Sequence, residues 1–184
     1  MTPTTALDTY PAGRTLTADQ ITEFHAARIT LLVHLCGVQN RIEGLTKLAK
    51  LDFFVRYPNF FQRAADYSKQ KAEATGNGNV ESTMVRHHYG PWDARYYQIL
   101  AYLESRTVLT VERRDKTFVF TLTDAGVAVA RRLAGADSFQ DLCGQMKAVK
   151  KLLGTKSGDW LKKLVYQLFE EEVAQLPLGQ VIRP

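Results

Sequence analysis

The chain has 184 residues, of which 45% are hydrophobic and 23% charged, and its formal net charge is +5. This balance is typical of one soluble globular domain, whose core is large enough to need no stabilising disulfides or metals. Two cysteines, Cys36 and Cys143, exclude a disulfide framework and a four-cysteine metal centre, and no apolar run approaches the roughly 18 residues that span a bilayer.

The first predicted helix follows an N-terminal arm. Residues 1–14 are rich in Thr, Pro and Gly and are expected to be flexible. They lack the basic start and apolar core of a signal peptide, so we expect a cytoplasmic protein. Thr17 and Gln20 match a capping box, which predicts a helix from there to the residue before Gly37. Residues 31–33 are apolar all round, which indicates deep burial.

The second predicted helix covers residues 42–55 and ends before Pro58, because the residue preceding a proline disfavours helical geometry. Lys47 and Lys50 are placed on its outer face, where they would either be solvated or touch phosphate. Residues 59–88 are then interpreted as an insertion before the next helix of the module.

Residues 89–133 hold the elements around which the chain is organised. A helix is predicted after Gly90-Pro91, since proline is tolerated in a first helical turn and Asp93 complements the positive helix start. Its apolar side is formed by Tyr96, Ile99, Leu100 and Leu103. Its polar and basic side is formed by Arg95, Gln98, Tyr102 and Arg106. One face is therefore expected to pack on a core and the other to meet water or a partner.

Two strands are predicted after this helix. Residues 108–111 have strand composition, and residues 117–122 alternate with period two, with Phe118, Phe120 and Leu122 on one face. Arg114-Asp115 is the predicted tight turn in the basic tip between them. Thr123 is a good N-cap for the helix that follows. Helix, strand, turn, strand and helix in this order are typical of the back half of a winged helix-turn-helix module, in which the hairpin is the wing.

Two further helices are predicted towards the C-terminus, one over residues 139–153 capped by Ser138 and one over residues 159–176 capped by Ser157. The last carries a broad apolar stripe formed by Leu161, Leu164, Val165, Leu168, Phe169 and Val173. This stripe either covers the module or offers a groove-binding face to another chain. Glu170–Glu172 near its end indicate an exposed face or a basic partner. The two cysteines lie in helical apolar patterns, which favours buried thiols.

The predicted fold class is mainly α with a small β-hairpin: a winged helix-turn-helix domain with an inserted segment and C-terminal helices. The domain is placed at 15–136, after the arm at 1–14, and the helical extension at 137–184. Positive charge concentrates in residues 106–163, which hold 12 Lys/Arg against 6 Asp/Glu. The wing and the helices after it are thus the place where a nucleic-acid footprint is expected.

The sequence carries no recognisable catalytic signature. There is no nucleophile with a spaced base, no zinc spacing and no Gly-rich phosphate cradle after a strand. Arg86, His87, His88 and Tyr89 form the one dense cluster of reactive side chains, but adjacent histidines on an extended segment point to opposite sides and chelate poorly. We therefore predict a binding protein, not an enzyme, with no cofactor, no metal and no small-molecule substrate.

Three segments carry a resemblance to a known family: RIEGLTKLAKLDFFVRYP at 41–58, RHHYGPWDARYYQILAYL at 86–103 and SGDWLKKLVYQLFEEEV at 157–173. In order and spacing they resemble the small winged-helix middle components of bacterial ABC three-component defence systems. The small subunit of Lamassu-type anti-phage complexes is the best-known member. The resemblance covers most of the chain.

This resemblance implies a non-enzymatic accessory subunit. Its partners would be an ABC/SMC-type ATPase with a long coiled coil and an effector, often a nuclease. The subunit would bridge these two proteins, with DNA contact as a secondary role. The candidate partner contacts are Tyr102 on the polar helix face and Leu164, Leu168 and Phe169 on the last helix.

Two other functions remain open. In a stand-alone DNA-binding regulator of the MarR or PadR kind, Arg95, Gln98 and Tyr102 would probe bases in the major groove. Arg113, Arg114 and Lys116 of the wing would hold phosphates. A third class, antitoxins, shares the Tyr-Gly-Pro turn. The aromatic side chains on the exposed helix face suit a protein interface as well as DNA.

Overall fold

The computed structural model describes residue 17, residues 20–68 and residues 83–183, so the arm at 1–14 and part of the predicted insertion lie outside the described residues. The elements are α1 Thr22–Cys36, β1 Arg41–Glu43, α2 Leu45–Arg56, α3 Pro58–Tyr67, β2 Val85–His87, β3 Gly90–Trp92, α4 Tyr96–Ser105, β4 Leu109–Arg114, β5 Thr117–Leu122, α5 Asp124–Ala134, α6 Gln140–Leu153 and α7 Gly158–Leu168. The fold is mainly helical with small antiparallel sheets, which confirms the predicted class at that level.

The larger sheet has three antiparallel strands in the order β1-β5-β4. Its edge strand β1 corrects the sequence prediction, which placed residues 42 and 43 in the second helix. Ile42 pairs with Phe120 and is almost fully buried. Gly44, with a φ of +92°, then turns the chain into α2. A three-residue strand followed by a glycine turn is too short to give a period-two signal, so periodicity extended the helix over it.

The hairpin of β4 and β5 confirms the predicted second strand, residues 117–122, residue for residue. Its first strand runs on to Arg114, and the two-residue turn is Asp115-Lys116, with Asp115 at a φ of +54°. Phe120 is buried as expected, but Phe118 on the same face is 44% exposed because it lies near the tip, beyond the part of the sheet that the helices cover.

The core lies where α1 and α2 meet the C-terminal helices. Residues 31–33 of α1 are fully buried, as the sequence predicts, and so are both cysteines. An aromatic cluster joins α2 to the C-terminal part of the chain, since the Phe169 ring lies 4.6 Å from that of Phe60 and 6.1 Å from that of Phe53. Burial raises the pKa of Cys36 to about 12, so its thiol is inert at neutral pH.

Several helix ends differ from the predicted ones. The chain around Thr17 forms a separate turn, in which its N–H donates to Gln20 Oε1 at 3.2 Å, and α1 begins only at Thr22. Ser138 lies in a short 3₁₀ segment and caps nothing, whereas Thr123 and Ser157 cap α5 and α7 through N–H donors of Gly126 and Trp160. These two caps are confirmed.

The last predicted helix is interrupted. The α7 helix ends at Leu168, and residues 170–174 form a wide π-type turn after Phe169, whose φ of −128° and ψ of 51° are not helical. The chain beyond it pairs with β2: the N–H of Arg86 donates to the carbonyl of Gln180, and the N–H of Ile182 donates to that of Met84, both at 2.8 Å. The C-terminal residues therefore lie along β2 and are joined to it by backbone hydrogen bonds.

Candidate functional site

The exposed face of α4 is the first surface to consider, because the sequence analysis placed both base contacts and partner contacts there. Gln98 and Tyr97 are exposed, Tyr97 at 65%, and Tyr102 is half-buried. Between Tyr96 and Ser105 the helix contains no Lys or Arg. The predicted apolar side is fully confirmed, since Tyr96, Ile99, Leu100 and Leu103 are all buried. Between the cations at its two ends, the helix thus presents a surface with exposed aromatic and polar side chains whose one charge is the acid Glu104.

Of these two cations, Arg95 is engaged inside the protein. Its Nε and Nη2 donate to the two carboxylate oxygens of Asp93 at 2.9 and 2.8 Å, and its Nη1 lies 2.8 Å from His25 Nε2. The side chain is 30% exposed. Contact between Arg95 and a base would require breaking this bidentate charge pair, and the expected role of Arg95 in DNA contact stays a prediction. Arg106, at the other end, packs its guanidinium over the Tyr102 ring at 5.4 Å.

Arg95 belongs to a buried ionic network that joins α1, α2 and the start of α4. Arg28 Nε donates to Asp52 Oδ1 at 3.0 Å, and the Tyr96 hydroxyl donates to Asp52 Oδ2 at 2.7 Å. Arg56 Nη1 donates to Asp93 Oδ2 at 2.8 Å. Apart from Arg95, the side chains of this network are at most 4% exposed. Buried charges are tolerated only when they are paired in this way.

The electrostatics of the network follow from its pairing. Burial raises the pKa of Asp93, but the hydrogen bonds of Arg95 and the charge of Arg56 outweigh burial and hold that pKa well below its usual range. Burial and the charge of Asp52 raise the pKa of the Tyr96 hydroxyl, which stays protonated and donates. Sequence reasoning missed this network. Its signal was present in Arg28 and Asp52, which both interrupt apolar helix faces.

An apolar groove lies between α4 and the β4–β5 hairpin. It has a volume of about 170 Å³. Its lining is almost entirely apolar and consists of Leu45, Tyr97, Leu100, Ala101, Glu104, Val111, Phe118 and Phe120. Two of the lining residues, Tyr97 of α4 and Phe118 of β5, are 65% and 44% exposed. Glu104 is its single charged side chain, and its carboxylate accepts the N–H of Val111 at 3.1 Å.

The hairpin tip carries the predicted phosphate contacts. Arg113, Arg114 and Lys116 are all exposed. Arg114 pairs with Glu112 at 2.9 Å, and Arg113 Nε donates to the carbonyl of Asp115 at 3.2 Å. With Glu112 and Asp115 beside them, the three cations leave the tip only weakly positive. Their role in DNA contact stays a prediction.

Part of the positive excess in residues 106–163 is used inside the protein. Lys150 Nζ donates to the carbonyl oxygen of Cys36 at 3.2 Å and to that of Gly37, where it neutralises the C-terminal end of α1. Lys162 and Lys163 both pair with Asp159. The charge distribution of the sequence therefore overstates the free positive surface.

The apolar stripe of the last helix covers the module. Leu164 and Phe169 are 4% and 0% exposed, and Leu168 is half-buried. The sequence left open whether this stripe covers the module or offers a binding face to another chain, and in the structure it covers the module. The partner-contact expectation for Leu164 and Phe169 is corrected accordingly, since exposing them would open the core. Glu172 pairs with Arg63 of α3 at 2.5 Å, so the acidic cluster has an internal basic partner.

Lys50 is also corrected. The sequence placed it on a solvated face, but it is 1% exposed and its Nζ donates to the carbonyl oxygen of Pro91 at 3.0 Å. Residues 90–92 form β3 instead of the predicted helix entry, and this strand buries the lysine. Burial, and then the charges of Arg86 and Lys162, lower the pKa of Lys50 to about 7.

The histidine cluster at residues 86–89 is characterised by contacts between aromatic rings. The His87 ring stacks on Trp92 at 5.2 Å, and its centroid lies 5.1 Å from that of His88. Within the described ranges, no three His, Cys, Asp or Glu side chains come together to hold a metal ion.

Among the residues that the structure describes, no helix is long and apolar enough to cross a membrane. Comparison with protein-family models, with curated proteins and with solved structures found no match to this chain.

Proposed function

We propose that this chain is a winged-helix accessory subunit that binds a larger protein partner in the groove between α4 and the β4–β5 hairpin. The winged-helix assignment is supported by the order of α1, β1, α2, α4 and the hairpin. It is also supported by the sheet order, in which β5 lies between β1 and β4. In this assignment α3 and the β2–β3 hairpin are the insertion, and β4 and β5 are the wing.

The observation that carries the proposal is the chemistry of the face that a DNA-binding winged helix would turn to the major groove. Its helix has no Lys or Arg from residue 96 to residue 105, and Arg95 is held by Asp93. DNA affinity depends largely on cations that neutralise phosphates. An apolar groove whose lining includes the exposed aromatic residues Tyr97 and Phe118 instead favours a protein segment that buries an apolar side chain there.

For the partner we propose the ATPase of an SMC/ABC-type anti-phage defence complex, with an effector such as a nuclease bound in the same assembly. The support is the resemblance of residues 41–58, 86–103 and 157–173 to the middle components of Lamassu-type systems. In this role the subunit supplies binding surfaces and no catalytic groups, which agrees with the lack of a catalytic signature in the sequence.

The groove is tested by comparing two alanines that are both exposed on helices. Ala101→Arg places a long cation in the groove, whereas Ala128→Arg places the same side chain on α5, away from it. Each tagged full-length variant is expressed in the native host and recovered proteins are identified by mass spectrometry. We expect wild type and Ala128→Arg to recover a coiled-coil ATPase, and Ala101→Arg to lose it while keeping its thermal stability.

Equal recovery of the ATPase by both variants would refute the groove as the binding site. Recovery of a self-associated dimer and promoter DNA, without an ATPase, would refute the accessory-subunit proposal and favour the regulator. Circular dichroism of both variants checks that neither substitution unfolds the protein.

DNA contact by the wing is a second candidate function, favoured by the exposure of Arg113, Arg114 and Lys116. Reversing all three charges to Glu removes up to three phosphate contacts. The slope of log affinity against log salt should then flatten by roughly 3, because each contact contributes about 0.9 for duplex DNA. Unchanged affinity and slope in the triple variant would exclude the wing as a DNA contact.

A further inference from the structure

The junction between the β2–β3 hairpin and α7 gathers more positive than negative charge among the described residues. Lys50 comes from α2, Arg86 from β2 and Lys162 from α7. Arg86 lies opposite Pro91 in the β2–β3 pair, and the Pro91 carbonyl accepts the Lys50 ammonium at 3.0 Å, so Arg86 and Lys50 are neighbours. The charges of Arg86 and Lys162 both act on Lys50. The Lys50 ammonium has the Pro91 carbonyl as its hydrogen-bond acceptor, which is neutral. Like charges brought together in this way repel, and a protein keeps such an arrangement only at a cost.

Arg86 is the unusual member of this cluster. Its Nε and Nη1 are buried and, among the described residues, have no hydrogen-bond acceptor. Its backbone is fully engaged, because its N–H donates to Gln180 and its carbonyl accepts from Gly179. Its guanidinium lies 5.3 Å from the centre of the Tyr166 ring, which attracts the charge but accepts neither N–H. Buried donors without acceptors are rare in proteins, and each one calls for an explanation.

The surroundings fix the guanidinium and the ammonium in place. The Tyr166 hydroxyl donates to the carbonyl of His88 at 3.0 Å, which ties α7 to the hairpin turn. A Cβ at Gly90 would lie 3.3 Å from Lys50 Cε and 3.5 Å from Lys50 Nζ, so a larger residue there would push the end of the lysine side chain aside by a few tenths of an ångström. Gly90 also has a φ of +94°, which favours glycine independently. The cations are therefore held by the fold and do not simply extend into water.

The outer side of the cluster is open to solvent. Lys162 is 29% exposed and lies over the ring of Tyr89, which is itself 59% exposed. Asp159, the acid that pairs with Lys162, is 59% exposed and is shared between Lys162 and Lys163. Arg86, Lys162 and Lys163 carry three positive charges against the one negative charge of Asp159, and Lys50, with a pKa of about 7, adds a partial charge at neutral pH. About two negative charges are therefore left unmatched. A phosphate group carries about 1.5 to 2 negative charges at neutral pH, whereas a carboxylate carries one.

We propose that the junction of Arg86, Lys50 and Lys162 is a binding site for a phosphate group. The buried Arg86 donors are the specific contact, and the two lysines supply the remaining charge. The phosphate comes either from a small molecule or from a nucleic-acid strand, and in both cases the same oxyanion chemistry recognises it. This inference does not depend on the groove between α4 and the wing, which lies on other elements.

The test is a titration of the full-length protein with inorganic phosphate at constant ionic strength, followed by NMR of the arginine Nε–H signals and the Gly90 amide. We expect saturable shifts of both groups in wild type. Arg86→Gln should weaken phosphate binding at least tenfold. The matched control is Arg106→Gln, since Arg106 also packs on a tyrosine ring, at 5.4 Å, but lies at the end of α4. It should bind phosphate as wild type does.

Two further arms separate the outcomes. Lys162→Gln, a substitution at a partly exposed side chain, should weaken binding severalfold and keeps the test valid if Arg86→Gln does not fold. A single-stranded oligonucleotide with and without a 5′-phosphate identifies the source, because only the phosphorylated form should compete if the site takes a terminal phosphate. Non-saturable shifts, equal binding by Arg86→Gln, or acetate binding as tightly as phosphate would each overturn the proposal.

Discussion

Asp52 is the acid on which the buried network depends, and its replacement by Asn is the most informative single substitution. The carboxylate is fully buried and lies 3.0 Å from Arg28 Nε, 3.4 Å from Arg56 Nη1 and 2.7 Å from the Tyr96 hydroxyl. Asn keeps the shape, so no cavity forms and only the charge is removed. The other acid of the network, Asp93, is 3.9 Å from Arg28 and cannot replace Asp52 at hydrogen-bond distance.

The expected loss is about 3–5 kcal/mol of unfolding free energy, because one buried guanidinium is left without its counter-charge. A domain of this kind is stable by about 5–15 kcal/mol, so the variant should be close to unfolding. Urea denaturation followed by circular dichroism measures the difference. Glu112→Gln, which breaks the exposed pair with Arg114, is the control and should cost less than about 1 kcal/mol.

A double-mutant cycle checks the assigned cause. In an Arg28→Met background the stranded cation is gone, so Asp52→Asn should cost at least 1 kcal/mol less than it does in wild type, on the order of coupling energies between contacting residues. If Asp52→Asn alone costs less than about 1 kcal/mol, or if the two substitutions are additive, the reasoning that the charge pair organises α1, α2 and α4 is wrong.

Two further predictions concern burial. Lys50 has a pKa of about 7 in the folded protein against its ordinary value of 10.5. The free-energy penalty of burying its positive charge is therefore complete below about pH 7 and decreases as the pH rises towards 10.5. Wild type should therefore gain stability relative to Lys50→Met between pH 7 and 9, by at most about 1.4 kcal/mol per pH unit. Urea titrations at several pH values measure this difference in unfolding free energy. A difference that stays constant with pH would contradict the burial of a titrating lysine. Gly126→Ala should destabilise by about 1–3 kcal/mol in thermal denaturation, because its Cβ would lie 1.9 Å from the Val108 carbonyl oxygen. Gly135→Ala, whose nearest contacts would be at 3.6 Å, is the control, and equal melting temperatures would show that α5 does not pack this closely on the sheet.

Several local features were readable from the sequence. The strand at residues 117–122 was predicted with its bounds, because alternation over six residues is a strong signal of a half-buried strand. The caps at Thr123 and Ser157 depend on a side chain and an N–H three residues later, which is local information. The buried face of α4 followed from helical spacing in the same way.

Other features required the tertiary structure. Whether Arg95 faces DNA or a carboxylate depends on His25, which is 70 residues away, and on how α1 lies against α4. The burial of Lys50 depends on β3, 41 residues later, and β1 exists only because β5 pairs with it. Helical periodicity predicts on which face of a helix a side chain lies, but it does not predict which other element covers that face.

The sequence by itself determined the helical class, the strand at residues 117–122, the buried cysteines and the apolar face of α4, because each follows from the spacing of residues along one element. Only the tertiary structure decided which charges are free. It paired Arg28 and Arg56 with buried acids, covered Leu164 and Phe169, and left Arg86 with donors but no acceptor. The physical reason is that charge pairing and burial depend on distances between elements, which are set when the helices and strands pack together.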